Sequence, residues 1–77
     1  MTNVKVRLSS IQDVRNFVDT VTKYNMDIDL SSGRYIVDAK SIMGIFSLDL
    51  SKPIDLNIHA EENVDAVLDV IKAYTID

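Results

Sequence analysis

Four short stretches in which apolar and polar residues alternate, interleaved with two stretches of helical period, leave this chain few ways to fold. Val4, Val6 and Leu8 alternate with Lys5, Arg7 and Ser9, the pattern of a strand with one buried and one wet face. Met26, Ile28 and Leu30 alternate with Asp27 and Asp29, and Tyr35, Val37 and Ala39 alternate with Arg34, Ile36 and Asp38. Pro53 precedes a fourth such run, with Ile54, Leu56 and Ile58 pointing inward and Asp55, Asn57 and His59 outward. Ile11, Val14, Phe17, Val18 and Val21 recur at helical spacing, as do Val64, Val67, Leu68 and Ile71. The segment Ile42-Met43-Gly44-Ile45-Phe46 is apolar on more than one side and too short to be a stable helix alone. The element order is β-α-β-β-α-β-α, an α+β chain expected to form one domain over residues 1–77.

Local signals set the expected boundaries. Ser9 and Gln12 fit a capping box at the start of the first helix. A two-residue turn at Ser32 and Gly33 sets Ile28 opposite Val37, Leu30 opposite Tyr35 and Asp27 opposite Asp38. Ser41 caps the short second helix. Glu61 and Glu62 suit the positive end of the last one.

Composition removes several classes of function. The 77 residues suffice for one two-layer core and not for a deep enclosed pocket, and 47% hydrophobic with 26% charged residues argues against disorder. Without cysteine there is no disulfide framework, thiolate zinc site or cysteine nucleophile. A net charge of −4 with scattered Lys and Arg gives no basic stripe for nucleic acid. The N-terminal residues lack the apolar run of a signal peptide and no stretch is long enough for a membrane span, so no membrane insertion and a cytoplasmic location are expected. Two glycines cannot build a P-loop or a dinucleotide fingerprint, and no cofactor is expected.

Few residues remain that bear chemistry. His59 is the sole histidine, so paired-imidazole metal sites are excluded, and its place in the alternation makes it a solvated sheet residue near Asp27 and Asp29 if strands two and four are neighbours. Asp27, Asp29 and Asp38 lack the compact loop spacing of a calcium motif and read as a wet acidic face; no metal site is expected. Ser41 presents a hydroxyl at a helix start, where backbone amides stabilise an added phosphate as well as they accept a simple cap. Beside it, Ile42, Met43 and Phe46 read either as core or as a partner-binding patch.

Lys40-Ser41-Ile42-Met43-Gly44, followed by Ile45-Phe46-Ser47-Leu48, resembles the segment around the regulatory serine of HPr, the phosphocarrier of the bacterial sugar phosphotransferase system. The likeness extends to Thr22-Lys23-Tyr24, to Asp55-Leu56-Asn57-Ile58 and to the element order. It implies an open-faced β-sandwich, four antiparallel strands with three helices on one face. HPr proteins carry phosphate on a histidine at the start of the first helix, followed shortly by arginine and proline. Ser9-Ser10-Ile11-Gln12-Asp13-Val14-Arg15 stands there in this chain, with no histidine, and either Ser10 or Gln12 takes its place. Asp13 adds an anion that competes with a phosphoryl group for the amides, and Arg15 has no imidazole to assist.

A retained serine and an absent histidine are similar to the catabolite-repression branch of the family, which is phosphorylated only on the serine. The resemblance thus implies a non-enzymatic regulatory module with Ser41 as its modified residue. Lys40, Ile42, Met43 and Phe46 form the surface that protein partners read: a serine kinase, a transcriptional regulator or a phosphotransferase-system component. The rival expectations are an atypical phosphocarrier with a different acceptor, and a scaffold outside sugar transport.

Overall fold

A computed structural model describes residues 2–76. In chain order the elements are β1 (Thr2–Val6), α1 (Ile11–Val21), β2 (Asp27–Ser32), β3 (Tyr35–Asp38), α2 (Ile42–Phe46), β4 (Ile54–His59) and α3 (Val64–Val70). A 3-10 turn at Lys72–Tyr74 then leads into a two-residue β5 (Thr75–Ile76). The strands form one antiparallel sheet in the order β3-β2-β4-β1-β5. The α+β open-faced architecture is the expected one, with β5 added beyond the four strands legible from alternation. Two residues are too few to show a period; they pair because Tyr74 accepts a backbone bond from Arg7 at 2.8 Å and feeds the chain alongside β1.

Alternation does the sorting it was expected to do. Ile28 and Leu30 of β2, Val6 of β1, and Ile54, Leu56 and Ile58 of β4 are buried beneath the helices, as is Leu8 just past β1. Val14, Phe17 and Val21 close the core from α1, Ile45 from α2, and Val67 and Ile71 from the α3 end. Phe17 meets Tyr74 edge-on, with ring centroids 5.8 Å apart and planes at 86°, an aromatic pair of about 1 kcal/mol beyond area burial.

Three expectations shift. Ile11 is 65% exposed. It is the first residue of α1 and lies on the same flank as half-buried Val18, at the end of a stripe whose covered part begins at Val14. In the hairpin the turn residues are Gly33 and Arg34, so Ser32 faces Tyr35, Leu30 faces Val37, and Asp29 rather than Asp27 faces Asp38. The cause is Gly33, whose φ of +60° belongs at the first central position of a II′-type turn, with Arg34 outside the positive-φ region. The slip is even, so inward residues stay inward, but Tyr35 moves to the hairpin tip beyond the helical cover and is 70% exposed. Finally, Glu61 and Glu62 precede α3, whose cap is the left-handed Asn63 and whose first-turn acid is Asp65.

Candidate functional site

Two helix starts concentrate the side chains of interest. At α1 the cap is Ser10, one residue later than the Ser9–Gln12 pairing expected from sequence. Its Oγ accepts the Asp13 amide at 3.0 Å. The Asp13 carboxylate in turn accepts from the Ser9 amide at 3.2 Å and the Ser9 hydroxyl at 3.0 Å. Gln12 turns along the helix and donates to Asn16 at 2.9 Å, while Arg15 is exposed. An acid three residues past the cap was available as a signal, since Ser10-x-x-Asp13 is itself a capping pattern and a carboxylate competes better than an amide for nearby donors. Tyr74, the ring packed on Phe17, senses this start: burial raises its hydroxyl pKa and the Asp13 charge raises it further.

At α2 the cap is the expected one. Ser41 Oγ accepts the Gly44 amide at 3.1 Å, its carbonyl accepts from Ile45 at 3.0 Å, and its own amide donates to the Asp38 carbonyl at 3.0 Å. The turn before it is closed by Asp38, which accepts the Lys40 amide at 2.8 Å. Gly44 sits in a tight spot, because a Cβ would lie 3.1 Å from both Ser41 Oγ and Val37 Cβ and those neighbours would have to give way. Ile45 is fully buried and anchors the helix, Ile42 is half-buried, and Met43 and Phe46 are 77% and 40% exposed. The core and patch readings therefore divide by residue, with Ile45 and part of Ile42 serving the core. The Lys40 ammonium donates to the carbonyls of Tyr24 at 2.6 Å and Met26 at 3.1 Å, tying the connection between α1 and β2 to the start of α2. Nothing in a single Lys announces that role, because its carbonyl partners lie 14 and 16 residues away. The two regions share one side of the molecule, since α1 packs against α2.

The opposite, uncovered face of the sheet holds the remaining polar network. Asp29 joins His59 Nε2 and accepts from Asn57 at 2.7 Å; Asn3 donates to Asn57 at 2.6 Å; and Lys5 pairs with Asp55 at 2.9 Å. His59 stands opposite Asp27, as the adjacency of β2 and β4 requires. It closes β4 at the end away from Ile54, the partner of Val6, which puts it roughly 16 Å along the sheet from the end of β1 that leads to α1. Among the described residues no group of three or more acidic, His or Cys side chains is arranged to hold a metal ion, and no helix is long and apolar enough to cross a membrane.

An antiparallel sheet with helices on one face, the first two of them starting at serine caps, is the open-faced fold that the resemblance implies. The family model described as the PTS HPr component phosphorylation site matches residues 12–75, and the chain belongs to this family. HPr proteins are phosphocarriers rather than enzymes, and they interact with proteins of the phosphotransferase system. Among solved structures the chain is similar to HPr-C-His from Thermoanaerobacter tengcongensis (28% identity, 95% of this chain and 93% of that one, TM-score 0.74). It is also similar to the phosphocarrier protein HPr from Bacillus anthracis (24%, 97% and 96%, TM-score 0.73). A third likeness is to the catabolite repression protein CRH of Bacillus subtilis (22%, 100% and 93%, TM-score 0.66). The last two identities bear on fold alone.

Proposed function

We propose that this HPr-family protein does not relay phosphate through a histidine. It acts in the cytoplasm as a regulatory protein-binding module of the phosphoenolpyruvate-dependent sugar phosphotransferase system, switched by phosphate on Ser41. The observation that carries this reading is the occupied start of α1. Ser10 stands at the helix cap, its oxygen takes the Asp13 amide, and the Asp13 carboxylate takes the Ser9 donors. A phosphoryl group arriving there meets an anion and no imidazole. The one histidine is on the other face of the sheet, bonded to Asp29.

Ser41 offers the contrary conditions. The first turn of α2 has no acidic residue, and the Gly44 amide already points at the serine oxygen. A kinase would transfer the γ-phosphoryl of ATP to Ser41 Oγ, with ADP leaving and the hydroxyl proton released. Because the Lys40 ammonium is held by two carbonyls, the new charge stays available to a partner's arginine, and Met43 and Phe46 supply apolar contact beside it. The partners in this reading are a serine kinase and a transcriptional regulator or phosphotransferase-system component.

Two incubations test it. With phosphoenolpyruvate and enzyme I, mass spectrometry at alkaline pH is expected to find no phosphate; label on His59 or any other residue would establish an atypical carrier instead. With an HPr kinase and ATP, one phosphate is expected, absent from Ser41→Ala. Failure of that labelling would leave a scaffold in which Ser41 is only a cap.

A further inference from the structure

The strand order makes β3 an edge of the sheet, and the register decides which of its backbone groups stay unpaired. Tyr35 lies opposite Ser32 and Val37 opposite Leu30, and the Ala39 amide donates to the Ile28 carbonyl at 3.0 Å. Hydrogen-bonded and non-bonded residues alternate along an antiparallel pair. Residues 35, 37 and 39 therefore turn their amides toward β2, while Ile36 and Asp38 turn theirs outward. The Asp38 carbonyl accepts from Ser41, which leaves Ile36 in mid-strand with both an amide and a carbonyl facing out. Edges are commonly blunted by brevity, charged side chains, proline or a bulge, and of these β3 has brevity, at four residues, and the charge of Asp38. Tyr35-Ile36-Val37-Asp38 contains no proline and its register is unbroken, and Tyr35 and Ile36 are each 70% exposed.

This edge is complementary to itself. Antiparallel pairing of two copies about Ile36 sets Ile36 against its own symmetry mate in a hydrogen-bonded pair, Tyr35 against Val37, and Arg34 against Asp38, each contact occurring twice. Arg34 forms no salt bridge among the described residues. Asp38 faces the like-charged Asp29 across the hairpin, so a guanidinium from the partner copy would offset that repulsion. Other registers are worse: centring on Asp38 opposes two carboxylates, and centring on Tyr35 or Val37 brings together residues whose amides face β2. We propose that β3 is a homodimerisation edge through which two copies join their sheets, with Ile36 at the two-fold axis. A contact of two short strands falls in the small, transient class of interface, so the dimer is weak.

Sedimentation equilibrium from about 10 μM to about 1 mM is expected to give a mass rising from monomer toward dimer, a range that brackets weak association. Over the same range the Ile36 amide should gain exchange protection, whereas Val37 is already protected by β2. Ile36→Pro deletes an outward amide and an exposed side chain, neither of which the monomer uses, and is expected to stay monomeric throughout with an unchanged melting temperature. Should that variant unfold, Arg34→Glu decides, since it opposes two carboxylates at each end and is expected to raise the dissociation constant about tenfold. A parent protein that stays monomeric at the highest concentration, or a dimer insensitive to Arg34→Glu, would overturn the proposal.

Discussion

The starts of α1 and α2 share the same cap geometry, and among the positions where they differ the third residue past the cap matters most. Each has a serine cap whose oxygen takes the amide three residues on, at 3.0 Å from Ser10 and 3.1 Å from Ser41. The residue supplying that amide is Asp13 in the first and Gly44 in the second. Asp13 brings a carboxylate that reaches back to Ser9 and neutralises the positive end of an eleven-residue helix. Gly44 brings no side chain, and a Cβ there would press on Val37 and the Ser41 hydroxyl at 3.1 Å. One cap is thereby closed by the chain's own anion, and the other is left able to take one from outside. Capping geometry is the same at both starts, so in the proposed function it is the charge and size of the third residue that would separate a phosphate site from a plain cap.

The largest expected effect tests how differently the helices are anchored. α1 buries Val14, Phe17 and Val21, whereas Ile45 is the one fully buried side chain of α2 and Ile42 is only half-buried. Phe17→Ala should cost about 4 kcal/mol and Ile45→Ala about 3 kcal/mol in urea unfolding, within the range for large-to-small core changes. The contrast sharpens in hydrogen exchange. Loss of Ile45 should expose the amides of residues 44–48 well below the global unfolding free energy, while loss of Phe17 should lower protection across the whole core. Uniform loss in both variants would mean that α2 is held by more than its one buried side chain.

Next comes the exchange of the distinguishing residue. Gly44→Asp gives α2 the acid that α1 has, but its Cβ would press on Val37 and Ser41 Oγ at 3.1 Å. Overpacking of this kind costs roughly 2 kcal/mol. The same variant should lose kinase labelling of Ser41, since a carboxylate beside the cap repels the incoming phosphate. Normal labelling in a folded Gly44→Asp protein would break the proposed distinction between the two starts.

How much of this was legible in the sequence depends on the range of the interaction. Period-two alternation identified β1 to β4 because a strand's faces are a local property, and Ser41 was readable as a cap from its own neighbours. The hairpin slipped because Ser32-Gly33 and Gly33-Arg34 are both acceptable turns, and only the φ of Gly33 with the pairing to β4 selects between them. At α1, adjacent serines offered two caps, and the choice fell to whichever put a carboxylate rather than an amide at the third position. Lys40 and Tyr74 were opaque for another reason. Their partners are brought near by the assembled fold, the carbonyls of the α1–β2 connection for Lys40 and Phe17 with Asp13 for Tyr74.

Removing the caps gives a smaller, matched pair of effects. Ser10→Ala and Ser41→Ala should each cost about 1 kcal/mol by leaving one amide without its acceptor. The replacements by aspartate should diverge. Ser41→Asp keeps an acceptor at a start with no other acid and should hold the parent's stability. Ser10→Asp crowds a second carboxylate against Asp13 and should fall below its own alanine variant in low salt, recovering as salt is added. Equal behaviour of the two aspartates in thermal melts would show that Asp13 does not set the electrostatics of its helix start.

The smallest effect reads the Asp13 charge through a reporter that α2 lacks. The Tyr74 hydroxyl is raised above its ordinary 10.0 by burial first and by Asp13 second. Both causes disfavour the tyrosinate in the folded chain, so the unfolded chain loses this proton first as pH rises through the ordinary value. Above that pH the folded state binds more protons than the unfolded one, and stability must fall as pH increases until the folded group also titrates. The parent protein should therefore melt earlier at strongly alkaline pH than Tyr74→Phe does relative to its own neutral-pH value. Asp13→Asn removes the second cause and leaves the first. Its Tyr74 should ionise at lower pH than in the parent, as followed by ring resonances in a titration, though still above the ordinary value. Ser41→Asp places a new charge at the other helix start and should leave that titration where it was. A Tyr74 curve that does not move in Asp13→Asn would mean that the carboxylate is screened at its own helix end, and the asymmetry between the two starts would then rest on the bulk of the third residue rather than on its charge.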